Sequence, residues 1–236
     1  MGILYIVPTP IGNLEDITIR GLNVLFSARY IACEDTRKTG QLLKLLRDNF
    51  STNPGESVVQ PQLISYYEQN ELKRIPEILN ILQNDIDVVL VSDAGTPLVS
   101  DPGFRLVKSC HENGIKVVSL PGASSVLTAL AASGLPTDKF AFLGYPPRKP
   151  GHRKTFYESI KRSAEIISST FIIFEAPHKL LKTLYEMQEI FGDIEVVVAR
   201  ELTKIHEDVC KRTISQHMQD YKKRQPKGEI VILYHI

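Results

Sequence analysis

Val88-Val89-Leu90-Val91-Ser92-Asp93-Ala94-Gly95-Thr96-Pro97-Leu98-Val99-Ser100-Asp101-Pro102-Gly103 joins the most apolar strand candidate of the first half of the chain to a segment of helical periodicity. Four consecutive branched aliphatic residues fit a strand buried on both faces, the kind found inside parallel sheets. The twelve residues after it are long for an ordinary strand-to-helix turn. They are rich in small residues that let a backbone approach a ligand, and open α/β sheets take ligands at the carboxyl ends of their strands. Asp101 is expected to cap the following helix, Gly103 to Asn113, with Pro102 at its first position.

Working outward, the first half repeats this alternation. Strands are expected at Leu4 to Val7, Tyr30 to Cys33, Leu63 to Ser65 and Lys116 to Leu120, and helices at Ile17 to Ala28, Thr36 to Leu46 and Asn70 to Gln83. Strand–helix alternation of this kind implies a mainly parallel sheet covered by helices. Residues 47–62, with Asn53-Pro54-Gly55, read as a surface loop. The second half reads as α+β: helix Ser124 to Ser133, strand Phe140 to Gly144, a basic helix from Gly151 to about Ser163, strand Thr170 to Glu175, helix Lys179 to Phe191, strand Glu195 to Glu201 and a closing strand, Gly228 to Tyr234. The domain boundary is placed near Leu120, giving domains 1–120 and 121–236.

Two further loops resemble the first in chemistry. Pro8 to Leu14, which includes Pro10, leaves the first strand, and Pro121-Gly122-Ala123-Ser124-Ser125 turns from a strand into a helix. Hydroxyls at a helix N-terminus suit a carboxylate or a ribose. GxGxxG and GxxxxGK[ST] are both absent, and no lysine sits in these loops to grip phosphate, so a ligand without phosphates is expected rather than NAD or ATP. Cys33, Cys110 and Cys210 are odd in number and far apart, and the six histidines show no ligand spacing. Neither a disulfide framework nor a metal is expected, and a reducing, cytoplasmic setting fits best. No apolar run approaches membrane-spanning length.

Three acidic motifs follow strands. In Cys33-Glu34-Asp35-Thr36-Arg37, Asp35 is either a helix cap or a site carboxylate beside Glu34. Glu175, in Phe174-Glu175-Ala176-Pro177-His178, carries the same ambiguity. Arg200-Glu201-Leu202-Thr203-Lys204 ends another strand with paired charges. Charge is also uneven along the chain. Residues 1–119 hold 11 Lys/Arg against 14 Asp/Glu, and the remainder holds 17 against 13. From Arg148 to Arg162 six basic residues face one acid, Glu158. Arg148, Lys149, Arg153, Lys154, Lys161 and Arg162 are therefore expected to meet a polyanion.

PTPIGNLEDIT, ACEDTR, SDAGTPLVSDPG, PGASS, FEAPHK, RELTK-x-HE and KGEIVIL occur in order from Leu4 to Leu233. Together they resemble the ribosomal small-subunit 2′-O-methyltransferases of the tetrapyrrole methylase family, which use S-adenosylmethionine. The resemblance implies two α/β domains, a mainly parallel sheet in the first and a mixed sheet in the second, with the cofactor in the cleft between them. It also implies a homodimer that methylates a decoding-centre cytidine ribose of 16S rRNA in the small ribosomal subunit, without metal or membrane. Carried onto this chain, the cofactor residues are Pro10, Ser92, Asp93, Ala94, Gly95, Thr96, Ser100, Ser124 and Ser125, with Phe174, Ala199, Gly228 and Glu229 completing an adenine pocket. Glu34, Asp35 and Glu175 are the candidate general bases. Tyr67 and Gln69 stand where members of the family usually show histidines. A porphyrin or corrin methylase, or an RNA-binding assembly protein without turnover, shares enough of this pattern to remain an alternative.

Overall fold

The computed structural model describes residues 1–50, 60–224 and 226–236, and the chain divides into two compact units, Met1–Ser124 and Ser125–Ile236. In the first unit, β1 (Leu4–Ile6), β2 (Tyr30–Cys33), β3 (Gln62–Ser65), β4 (Val88–Val91) and β5 (Val117–Ser119) form one parallel sheet in the order β3-β2-β4-β1-β5. Helices α1 (Ile19–Ser27), α2 (Thr36–Phe50), α3 (Glu71–Gln83) and α4 (Phe104–Glu112) make the crossovers. All four residues of β4 are buried, because each face of the sheet is covered. Val88 and Leu90 pack with Ile78 and Leu82 of α3 and Leu106 of α4, whereas Val89 and Val91 pack with Leu25 of α1 and Leu43 and Leu46 of α2. That is why the run is continuous rather than alternating.

The second unit holds α5 (Ser125–Ala132), β6 (Phe140–Phe142), α6 (Pro150–Ile166), β7 (Thr170–Glu175), α7 (Leu180–Phe191), β8 (Glu195–Arg200), β9 (Asp208–Thr213), α8 (Ile214–Lys223) and β10 (Ile230–His235). Its sheet runs β6-β7-β10-β8-β9, with β6 and β7 parallel and every other pair antiparallel. A parallel first sheet and a mixed second one are the arrangement expected. No helix among the described residues is long and apolar enough to cross a membrane.

Several boundaries differ from expectation. The units separate after Ser124 rather than near Leu120, so the Pro121 turn packs with the first unit. Helix α2 continues through Arg47 to Phe50 and β3 begins at Gln62, while residues 51–59 of the expected loop lie outside the described residues. Strand β9 and helix α8 were not anticipated. The strand Asp208–Thr213 is an edge strand with no fully buried residue, so it lacks an apolar run. Helix α8 did carry a signal: Thr213 and Gln216 form a reciprocal capping box, and Ile214 and Met218 lie four apart on its buried face.

His217 of α8 is 2 % exposed and its Nε2 lies 3.1 Å from the Val196 carbonyl. Burial, the largest cause, pushes its pKa below the usual value, so the folded chain holds it neutral while the unfolded chain protonates it near pH 6.5. Stability from this site is thus present above about pH 6.5 and is lost as pH falls below it. His217→Gln is expected to weaken that acid-side loss. Melting midpoints at pH 7.5 and about pH 5.5 check this; an equal acid shift in both proteins rules the assignment out.

Candidate active site

The loops leaving β1, β4 and β5 are tied to one another at the carboxyl edge of the first sheet. Thr9 and Gly95 exchange both backbone hydrogen bonds, at 3.0 and 2.9 Å. The Thr9 hydroxyl donates to the Ser92 carbonyl at 3.1 Å, and the Thr96 hydroxyl donates to the Ala123 carbonyl at 2.9 Å. Gly95 has φ +80°, and a Cβ there would lie 3.3 Å from the Ile11 side chain. Leu98 and Ser100 also adopt positive φ, 73° and 64°, where non-glycine residues cost on the order of 1–3 kcal/mol each. A strained loop pinned by two neighbours is one whose shape is set in advance.

Asp101 and Pro102 do not start α4. The cap position belongs to Gly103, at φ 138°, and the helix begins at Phe104. A Cβ on residue 103 would meet Leu98 and Leu90 at about 3 Å, so only glycine passes there. Asp101 instead turns back to accept a hydrogen bond from Ser92, and burial raises its pKa.

After β2 the chain moves one way along the sheet to β3, and after β4 it moves the other way to β5. Loops that part in this manner leave a crevice, the switch point where α/β sheets bind ligands. A crevice of about 350 Å³ lies there. Glu34, Asp35, Asp93 and Asp101 line it together with Ser100 and the segment Tyr67 to Gln69.

The three candidate bases have different surroundings. Asp35 is the N-cap of α2: its Oδ1 accepts from the Arg37 backbone N–H at 2.9 Å and its Oδ2 pairs with the Arg37 guanidinium at 3.0 Å. Those Arg37 hydrogen bonds hold its pKa down, to about 2. Asp93, next along, is paired with Lys38 at 2.6 Å. Glu34 makes no hydrogen bond among the described residues. Its pKa is raised, first by burial and then by the charges of Asp93 and Asp101.

Glu175, at the end of β7, is 3 % exposed. One carboxylate oxygen accepts from the Ala176 N–H at 2.8 Å; the other accepts from the Thr183 hydroxyl and from Arg153 Nη2 at 3.4 Å. Arg153 is likewise 3 % exposed, so it cannot meet a polyanion. Its Nε donates to Glu186 at 2.6 Å, its Nη1 to the Pro147 carbonyl at 3.3 Å and its Nη2 to Thr183 at 2.6 Å. The basic run concealed this, although Arg153, Tyr157 and Ile160 sit at helical spacing on the buried face of α6. Arg148, Lys149 and Lys154 are exposed, as are Lys161, bonded to the Ile190 carbonyl, and Arg162, bonded to Ser159.

The remaining cofactor candidates are distributed as follows. Pro10 lies one residue past the Thr9 bridge and Ala94 is exposed one residue before it. Ser124 ends the first unit and Ser125 opens α5. Phe174 is half-buried against the rings of Phe142 and Tyr145, at 4.8 and 5.5 Å. Ala199 is buried in β8, opposite Val231 and Val209. Gly228 and Glu229 clamp the turn after β8. The Glu229 N–H donates to the Glu201 carboxylate at 3.0 Å, and a Cβ on Gly228 would overlap that carboxylate at 2.3 Å.

Two outcomes follow from this geometry. Gly95→Trp is expected to abolish binding of the loop's ligand, read by calorimetry, while circular dichroism shows a folded chain; undiminished affinity removes the loop from the site. Arg153→Ala strands the buried Glu175 charge and is expected to cost about 3–5 kcal/mol, against about 0.5 kcal/mol or less for Lys154→Ala on the exposed face. Denaturant titrations compare them, and equal costs overturn the buried role of Arg153.

Residues 3–217 match the model of the Tetrapyrrole (Corrin/Porphyrin) Methylases. Among curated proteins, the Ribosomal RNA small subunit methyltransferase I of Hydrogenobaculum sp. is 45% identical over 98% of this chain and 94% of its own length. That of Thermotoga maritima is 42% identical over 99% and 98%, and that of Bacillus subtilis 42% identical over 99% and 75%. Among solved structures, the methyltransferase CobJ aligns with TM-score 0.67 at 18% identity over 100% of this chain and 95% of its own. A uroporphyrin-III C-methyltransferase from Thermus thermophilus, complexed with S-adenyl homocysteine, aligns at 0.62 and 17% identity over 98% and 97%. The match of family model, full-length relatives and two-sheet architecture makes this chain a member of the tetrapyrrole methylase family.

Proposed function

We propose that this chain transfers a methyl group from S-adenosylmethionine to the ribose 2′-hydroxyl of a decoding-centre cytidine in 16S rRNA. The observation that carries the reading is identity of 42–45% over nearly the whole chain to proteins named for small-subunit ribosomal RNA. The uroporphyrin-III C-methyltransferase and the methyltransferase CobJ share the fold at 17–18% identity, which supports a common architecture and no common substrate. Action as a homodimer on the small ribosomal subunit, in the bacterial cytoplasm, belongs to the same proposal.

The residues at the first sheet's edge suit this cofactor. Gly95 leaves open the space a Cβ would fill, three loops offer backbone at one place, and the carboxylates of Glu34, Asp93 and Asp101 favour a cation. When bound, the sulfonium supplies an electrophilic methyl group. The protein then has two tasks, to hold the acceptor oxygen in line and to take its proton. Asp35 is committed to its cap and Glu175 to Arg153 and Thr183, which leaves Glu34 as the general base. A carboxylate without hydrogen bonds, its pKa raised by burial, is the better proton acceptor of the three. As the hydroxyl oxygen bonds to the methyl carbon and the carbon–sulfur bond breaks, the hydroxyl proton passes to Glu34. Arg148, Lys149 and Lys154 remain exposed for RNA phosphates.

Labelled methyl transfer onto small subunits lacking the modification, followed by nucleoside analysis, tests the reading. The expected product is 2′-O-methylcytidine, and a label on a base atom or none on RNA rejects it. Glu34→Gln is expected to slow single-turnover transfer by about a hundred- to ten-thousand-fold with cofactor bound, whereas Asp35→Asn costs mainly stability. The wild-type rate should fall with decreasing pH as Glu34 becomes protonated, at a pH above that of an ordinary glutamate, and Glu34→Gln should lose that dependence. A native rate and pH profile in Glu34→Gln would remove it from the mechanism.

A further inference from the structure

The turn between β8 and β9 is held in a strained conformation by several side-chain contacts. Glu201 and Thr203 both take positive φ, 52° and 63°. They are held there by the Glu201 N–H bond to the Glu229 carbonyl at 3.0 Å and by Lys204, which reaches Glu201 at 2.9 Å and Glu229 at 3.0 Å. The Thr203 N–H bonds Glu207 as well. This clamped turn projects Ile205, 97% exposed, and His206 into solvent beside a groove of about 950 Å³. Strain retained in a turn that displays an apolar side chain to water points to use rather than to folding.

The groove's other wall carries Asp220 and Tyr221 of α8 with Arg224, Pro226 and Lys227. Residues 222–227 read Lys-Lys-Arg-Gln-Pro-Lys, four cations without an acid. Arg224 and Lys227 line the groove with Arg200, His206 and Tyr221. Its three acids are already engaged: Glu207 by the Thr203 N–H, Asp220 by Arg212, and Asp208 by Arg200 at 3.9 Å. The side chains of His206, Arg224 and Lys227 have no acidic partner within 4 Å among the described residues. Arg200 balances Asp208 and Arg212 balances Asp220, which leaves Arg224 and Lys227 against Glu207 alone, beside an aromatic ring and an exposed apolar side chain. That pairing suits single-stranded RNA, whose phosphates seek cations and whose unstacked bases seek flat or apolar surface.

We propose that the groove between the β8–β9 turn and the end of α8 binds a single-stranded segment of the RNA substrate. Arg224, Lys227 and His206 hold phosphate, and Tyr221 and Ile205 lie against a base or ribose. The proposal rests on the reading of this chain as an RNA methyltransferase. It adds a contact surface in the second unit separate from the exposed residues of α6.

The test uses the full chain, protein-free 16S rRNA and assembled small subunits, with binding measured across a salt series. Arg224→Glu with Lys227→Glu is expected to weaken binding of protein-free RNA by roughly tenfold or more and to reduce the slope of log affinity against log salt by about 1.4, two single-strand phosphate contacts. Affinity for S-adenosylmethionine, by calorimetry, should not change. The pair Arg224→Gln with Lys227→Gln, which only removes charge, should shift both quantities the same way and serves if the reversal unfolds the chain. Wild-type RNA binding and methylation with unchanged affinity and slope in both variants overturns the groove while the proposed activity stands. Variants that bind protein-free RNA normally yet lose the assembled subunit would make an acidic protein the partner, and also overturn it. A wild-type chain that binds no RNA overturns both readings.

Discussion

The position of β4 between β2 and β1 is the constraint from which the rest of the first unit follows. A parallel strand covered on both faces must be apolar throughout, and its polar neighbours can lie only beyond its ends. The chain leaves β2 toward β3 and leaves the neighbouring β4 toward β5, so the loops at their carboxyl ends must part and leave a crevice. The exchanged hydrogen bonds of Thr9 and Gly95 close one side of that opening, and the positive-φ residues Leu98 and Ser100 shape the other. Backbone strain is sustained there because the neighbouring loops hold the segment from both directions.

Carboxylates crowd this edge, and their local partners separate their roles. Asp35 caps a helix and pairs with Arg37, Asp93 pairs with Lys38, and Asp101 bonds Ser92. Each of these contacts uses lone pairs that proton transfer would need. Of the three candidate bases, Glu34 alone keeps both carboxylate oxygens without a hydrogen bond among the described residues, and burial, then the charges of Asp93 and Asp101, oppose its ionisation. The same division occurs in the second unit, where the hydrogen bonds of Glu175 and Arg153 join the starts of α6 and α7 to the end of β7. A buried ion pair of this kind is costly to break from one side, which ties these elements to a single arrangement.

At one edge of the second sheet, the strand ends of β6, β7 and β8 and the start of β10 lie on the same side. The basic residues Arg148 and Lys149, Lys179, Arg200, and Arg224 with Lys227 therefore share one edge although they are scattered over 80 positions of sequence. Local acids at that edge are occupied by backbone N–H groups or lysine, as in the Glu201, Lys204 and Glu229 clamp. The surplus is positive on the unit whose sequence half carries more basic than acidic residues.

Periodicity alone determined the strands and helices that bury apolar residues, since burial of a regular element imposes a repeat that a reader can see. The strand–helix alternation of the first unit and the family motifs were legible too, because each is contiguous in sequence. Three things were not. Strand β9 is an edge strand that buries no residue fully, so no repeat betrays it. Gly103, rather than Asp101, caps α4, and Leu90 and Leu98 leave no room there for a Cβ, a contact between distant positions. The fates of Arg153, Asp35 and Glu34 depended on which partner the fold brought within hydrogen-bonding reach. Charge is written in the sequence, but whether a charge faces water, a partner or a crevice is decided by packing, because only tertiary structure fixes distance and dielectric.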